Sequence, residues 1–562
     1  MILYRANLLM HALLLSCAYT AFLPHQLYAT HSNHREMGDG VELKDFDFDN
    51  ISFDEDDYQF MEYLDTAAMD HISRTIDPAT IMVILNSLNV PTILQEPLFL
   101  HTNTLNKRSL LDQPIFEPDR AEFPGKFVVG IMPFVRKTNR SNFTRNSTQL
   151  KSYLAIGEAT LISKLEDAIN RVNQLPIGGI NIDVAEIFGL FENMTVEERQ
   201  TGFMFHCMKR WRKTTLRVMV PLYYLESNFS LTPKEQDEVA RVLGSMDPEE
   251  EIRFRKAHFI SDKIGLGDTR IEVDRTIINR PYFKLRCGGL ATIPTAWMWG
   301  GGFLGSLFPK PSTLPSFELD AIFNAIENPG VESEAEIKNI FYELLLDSLD
   351  RVAADLIDVP LGNNQHLGVG LYLRGKTPLS AYIHSPLAEK ITFAGRTSIE
   401  LFFPGTEKRF YINKIDEQAF GDHNFQDLSM AAENVQFLKE QAISRLFLRA
   451  FNTRIIPGVI FRWSGGAYYK GDKWGYNLGL DYWLQNKPHF SAIHAPCKAL
   501  HMIDVPKAKP PVAQQSKIFG GIVLKHRTNK STWFFSLNAD ASLSTKGLGQ
   551  DYSLALNFES SF

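Results

Sequence analysis

The chain has 562 residues, 44% of them hydrophobic and 12% aromatic, with a formal net charge of -7 and 4 cysteines. An acidic balance without an extended basic stripe excludes a nucleic-acid partner, because nothing is available to neutralise a phosphate backbone. So few cysteines in so long a chain exclude a disulfide framework as the main source of stability.

The first stretch, MILYRANLLMHALLLSCAYTAFLPHQLYAT, carries an early positive charge at Arg5, an apolar run from Leu8 to about Leu23, and a small residue, Ala29, suited to cleavage. This is the pattern of a secretory signal peptide, expected over residues 1–29. Its removal leaves Cys207, Cys287 and Cys497, an odd set in which some thiol has no partner within the chain. No later stretch reaches the roughly eighteen apolar residues of a spanning helix. A mature chain that lives in a membrane must therefore satisfy its backbone as a closed barrel.

Residues 30–124 read as an extended, acidic, partly helical leader. Its run DFDFDNISFDEDDYQFMEYLD lacks the glycine and ligand spacing of a calcium loop, so no metal is expected and a solvated segment is the simplest reading, with a plug as the alternative. DPATIMVILNSLN reads as a short helix with Asp77 as N-cap and Pro78 in its first turn.

From residue 125 onward, strand-like segments of roughly nine to thirteen residues recur, close to the length of a tilted membrane-crossing strand. They fall near 125–136, 201–211, 214–227, 264–276, 281–294, 366–374, 395–404, 455–464, 474–485, 517–526, 532–543 and 551–562. In WGYNLGLDYWLQ, Trp474, Tyr476, Leu478, Leu480 and Tyr482 oppose Gly475, Asn477, Gly479 and Asp481. In DYSLALNFESSF, Tyr552, Leu554, Leu556, Phe558 and Phe562 oppose Ser553, Asn557 and Glu559. This period of two puts apolar side chains on one face of a sheet and polar ones on the other.

Link lengths carry a second signal. Short links at 212–213, 278–281, 466–473 and 527–531 alternate with long ones near 137–200, 228–263, 295–365, 405–454 and 486–516. Outer-membrane barrels sort their turns and loops in this way. Two links fit less well: 375–394 is long enough to hide a hairpin, and 544–550 is short for an outer loop. Helices are expected in the long loops at 333–356, opened by a Ser333/Glu336 capping box, at 430–448 and at 232–244. The glycine-rich WGGGFLGSLF (299–308) is suited to lying close to the barrel wall. The expected fold class is an all-β membrane protein, an antiparallel transmembrane β-barrel of about 12 strands, within a range of about 10 to 14, over residues 125–562 with helical insertions in long loops.

Charges facing lipid near the midplane cost about 2–4 kcal/mol for Arg or Lys, so the polar face of each strand turns inward. Alternation then places Arg217, Asp268, Arg270, Glu272, Asp274, Arg374, Asn477, Asp481, Asn538, Asp540 and Glu559 in the interior, as lining of a hydrated path or as charges that neutralise one another across strands. The hydrated path is the reading carried forward.

In these features the chain resembles bacterial outer-membrane β-barrel proteins of the porin or diffusion-channel kind. The resemblance covers the signal sequence and residues 125–562 and rests on architecture. Its most specific element is the terminal segment with Tyr552, Leu554, Leu556, Phe558 and Phe562, which in that class is read by the barrel-assembly machinery. GLGDTR (265–270) also looks like barrel openings in hydrophobic-compound channels, whereas the amino-terminal hatch motif of long-chain fatty-acid channels is not visible. The resemblance implies passive passage of small solutes across an outer membrane after export, with no cofactor. Its partners would be the lipid bilayer and the assembly machinery, and a homo-oligomer is compatible with it. A surface adhesin or receptor acting through the long loops is the runner-up. An outer-membrane enzyme comes third, since no hydrolase, zinc-protease or nucleotide-binding motif is present.

Overall fold

The computed structural model describes residues 78–87, 91, 108–109, 111, 127–140, 195–230, 248–307, 312–315, 331–414, 417–528 and 531–561. The expected signal peptide, the acidic run, the 232–244 helix and Phe562 lie outside the described residues. The chain divides into the units Met1–Met69 and Asp70–Phe562, and all described residues belong to the second.

The strands are β1 (Phe127–Arg140), β2 (Thr195–Trp211), β3 (Thr214–Ser230), β4 (Ile260–Leu266), β5 (Thr269–Arg280), β6 (Phe283–Ile293), β7 (Trp297–Gly302), β8 (Gly368–Pro378) and β9 (Ile391–Phe402). They continue with β10 (Gly405–Tyr411), β11 (Arg449–Ile456), β12 (Ile460–Lys470), β13 (Trp474–Gln485), β14 (His489–His494), β15 (Ala513–Arg527), β16 (Thr532–Lys546) and β17 (Gln550–Ser561). A 14-stranded sheet runs β2-β1-β17-β16-β15-β13-β12-β9-β8-β6-β5-β3-β4-β7, and β3 also pairs with β2. Without the appended β4 and β7, twelve antiparallel strands therefore close into a barrel, in agreement with the expected number.

The facing of β17 decides what surrounds this barrel. Leu554, Leu556 and Phe558 are 50%, 46% and 39% exposed, whereas Ser553, Asn557 and Glu559 are 5%, 2% and 1% exposed. The strand contacts its neighbours β1 and β16, and no second sheet packs on its apolar face among the described residues. Leu478, Leu480, Leu537, Leu371 and Ile399 continue the exposed face around the ring. Trp211, Trp474 and Trp533 mark its turn side and Tyr224, Trp297 and Tyr552 its loop side. An apolar belt edged with aromatics around a polar interior is the surface of a transmembrane barrel.

Two expectations are corrected. The single strand expected over 264–276 is two: β4 pairs with the upper half of β3, from Asn228↔Ile260 to Leu222↔Leu266, and β5 with the lower half, from Met219↔Arg270 to Thr214↔Arg275. The break is at Gly267–Asp268, where the N–H of Gly267 still donates to the carbonyl of Pro221 at 2.8 Å. The 375–394 link hides no hairpin. β8 runs on to Pro378, and a 3-10 turn (Leu379–Ala381) and a short helix (Pro386–Lys390), N-capped by Ser385, complete the turn. Of the glycine-rich 299–308 segment, Leu304–Leu307 form a 3-10 turn and Trp299–Gly302 belong to β7, whose partner is β4. Its close approach is real, since a Cβ on Gly301, at φ +85, would stand 2.1 Å from the carbonyl oxygen of Asp262. The short loop-side link at 547–549 closes through Gly547 with φ 66.

The long loops form a folded cap. The expected helices span Val331–Leu356, starting upstream of Ser333, and Ala431–Leu446. Val352, Leu356, Phe229, Phe259, Phe410 and Leu448 share one core, which joins the first helix to the top of β3 and to β10. β10, β11 and β14 form a separate three-stranded sheet, packed through Tyr411, Phe451 and Ile503. Cys207, Cys287 and Cys497 are all unpaired.

Candidate functional site

Of the residues expected in the interior, Arg217, Asp268, Arg270, Glu272, Asp274, Asn477, Asp481, Asp540 and Glu559 are buried, and Arg374 and Asn538 half-buried. The structure adds cross-strand partners for most of them, which no single strand could reveal.

On the loop side the interior is a continuous ionic lattice that includes the leader. Arg108, 1% exposed, is held by Asp481 at 2.5 Å and donates to Gln515 at 3.1 Å. Asp481 also accepts from Nε of Arg462 at 2.9 Å. The leader backbone is gripped as well, since Arg136 donates to the carbonyl of Arg108 at 2.8 Å and Arg270 to that of Leu111 at 3.0 Å. Arg270 pairs in turn with Glu400 at 2.9 Å. Across the seam of the ring, Asp551 binds Arg136 at 2.5 Å and Lys517 at 2.9 Å, and Lys517 reaches Asp540 at 2.7 Å. A leader segment thus sits among β1, β5, β13 and β15 where a lumen would run.

The turn side differs in balance. Glu272 bridges Arg396 at 2.6 Å and Arg217 at 3.1 Å, and Arg396 lies 4.3 Å over the ring of Tyr372. Cations stand directly opposite one another on neighbouring strands: Arg286↔Arg374 and Lys284↔Lys376 between β6 and β8, and Arg374↔Arg396 between β8 and β9. Like charges in register are unfavourable for a sheet by themselves. Sequence reasoning missed Arg108, Arg136, Arg396, Glu400, Arg462, Lys517 and Asp551. For the strand residues the inward parity was there to be read, whereas nothing in the residues around Arg108 marks it.

At the loop-side mouth a cavity of about 130 Å³ opens between the leader, β3, the β4–β5 break, the end of the Val331–Leu356 helix and β10. Beside it, His366 places Nδ1 2.9 Å from the carbonyl of Phe403 and Nε2 2.6 Å from Glu407, which also binds Arg409 at 2.5 Å. Burial pushes the Glu407 carboxyl up, but Arg409 and His366 together hold it below its ordinary value. A depressed carboxylate stabilises the fold above its unfolded pKa, and that contribution disappears as pH falls through the folded value. Protection factors of the β10 amides, with the intrinsic exchange rate divided out at each pH, should therefore be lower below about pH 4 than at pH 6 in the wild type. In Glu407→Gln the drop should be smaller.

No family model matches the chain, and no curated protein matches it. Among solved structures the chain is similar to the COG4313 outer membrane channel from Pseudomonas putida F1, at 10% identity and a TM-score of 0.38, over 80% of this chain and 100% of that one. It is also similar to the Pseudomonas putida toluene transporter TodX, at 8% identity and a TM-score of 0.27, over 83% and 97%. A third likeness is to the beta domain of the Bordetella autotransporter BrkA, at 6% identity and a TM-score of 0.24, over 77% and 98%. The barrel assignment rests on the strand pairing itself.

Proposed function

We propose that this protein is an outer-membrane channel for small solutes whose lumen is closed by its own leader. The observation that carries the reading is a closed ring with an apolar exterior and a charged interior into which Arg108 is bound by Asp481 and Gln515. A lipid-embedded barrel has little need of so many buried charges for stability, since such pairs seldom repay their desolvation. A hydrated path between them gives the charges a use. Among the described residues the turn-side half places Arg210, Lys284, Arg286, Arg374, Lys376 and Arg396 against Glu272, Asp274 and Glu559, so the open lumen should favour anions.

Single-channel recording in a planar bilayer tests this. Wild type should open rarely, and Arg108→Ala should raise the open fraction about tenfold, the effect of roughly 1.4 kcal/mol of lost tether. Asp481 keeps Arg462 in that variant, so the wall stays intact. Folded protein that gives no channel steps in either form would overturn the reading.

A receptor role through the loops remains the second reading, favoured by the separately packed sheet of β10, β11 and β14. Removing 486–516 is not a clean test of it, because that span contains β14 and the first residues of β15. Substitution of exposed cap residues is the better probe.

A further inference from the structure

Two of the buried polar atoms on residues that line the mouth cavity, one on Asp268 and one on Asn363, have no hydrogen-bond partner. Asp268 is 3% exposed, its Oδ2 accepts the backbone N–H of Asn363 at 2.6 Å, and its Oδ1 has no hydrogen-bond partner. Nδ2 of Asn363 has none either, and both residues line the cavity. Position 362 requires glycine, because at φ +71 a Cβ would stand 2.6 Å from Oδ1 of Asp268 and 2.6 Å from the Cβ of Ala296.

The walls have a definite sign. Asp268, Asp355, Asp358 and Glu407 contribute carboxylates and Arg409 a guanidinium. Asp358 pairs with Lys263 at 2.7 Å and Glu407 with Arg409, whereas Oδ1 of the Asp268 carboxylate meets no donor. The Val331–Leu356 helix reaches the cavity with its C-terminal end, which carries partial negative charge. Leu111 and Val359 add apolar surface. A buried acceptor without a donor is costly, and a ligand that brings the donor removes the cost.

We propose that this cavity binds a small organic ammonium ion, whose N–H donates to Oδ1 of Asp268 while an acceptor on the ligand takes the N–H of Asn363 Nδ2. Because the turn side of the interior is cationic, the ion is a ligand held at the mouth and not the solute that crosses. The site stands apart from the channel reading, and its test needs no conductance, so the two can fail separately.

Calorimetric titration of the full-length protein in detergent at low salt supplies the test, with ethanolammonium, ethylammonium, ethylene glycol and glycolate as probes. Ethanolammonium should saturate one site, ethylammonium should bind more weakly, and the neutral and anionic probes should show no saturable heat. Asp268→Asn keeps an oxygen for the Asn363 N–H but turns an NH2 into the cavity. It should weaken ethanolammonium by about tenfold or more while far-UV circular dichroism stays unchanged. Glycolate binding as well as ethanolammonium, no saturable ammonium binding, or unchanged affinity in folded Asp268→Asn would each overturn the proposal. Should the variant not fold, the order of the four probes on wild type decides.

Discussion

Asp551→Ala should lower the stability of the folded barrel by about 3–5 kcal/mol, the range for removing one member of a buried ionic cluster. Asp551 binds Arg136 of β1, Lys517 and Gln515 of β15 and Ser542 of β16, so it ties the first strand to the last three. Its removal leaves the Arg136 guanidinium buried without that carboxylate, while Lys517 retains Asp540. The double variant Arg136→Met, Asp551→Leu removes both charges and should recover part of the loss, because an apolar pair carries no desolvation cost. Urea unfolding of the reconstituted protein, followed by tryptophan fluorescence, measures both. A loss below about 1 kcal/mol for the single variant would show that the cluster is solvated.

Replacing Leu556 with Arg should cost about 2–4 kcal/mol and impair insertion into liposomes. Asn557→Arg should be tolerated better. The two positions are adjacent, but Leu556 lies on the exposed apolar face and Asn557 donates to Glu559 at 2.7 Å inside the barrel. A new guanidinium at 557 meets that carboxylate, whereas one at 556 meets hydrocarbon. Comparable insertion yields for the two variants would mean that β17 does not face lipid.

What could be read from sequence follows what lipid enforces locally. The expected bounds of 474–485 match β13, because leucines, tyrosines and a tryptophan alternate with glycine, asparagine and aspartate from Trp474 to Tyr482, before Trp483 turns inward. Lipid on one side and charge on the other penalise any slip in that pattern, so the facing of Asp481, Asp540 and Glu559 was legible as well. Pairing was not. The contacts Arg108–Asp481 and Arg136–Asp551 join residues hundreds of positions apart, and only strand register brings them together. The β4–β5 break falls where the alternation slips by one residue, buried Gly265 and Gly267 giving way to buried Asp268 and Arg270; a single slip inside a short run is too small a signal to end a strand by pattern alone. β10, β11 and β14 lie in the cap, where no lipid face imposes a period.

Spin labels placed one at a time at residues 552 to 558, in protein lacking its native cysteines and reconstituted in liposomes, test the central claim most directly. Oxygen, which partitions into hydrocarbon, should relax the labels at 552, 554, 556 and 558 strongly and those at 553, 555 and 557 weakly, with a period of two. Flat oxygen accessibility along the strand, or strong relaxation at the odd positions, would contradict a lipid-facing barrel with a charged interior.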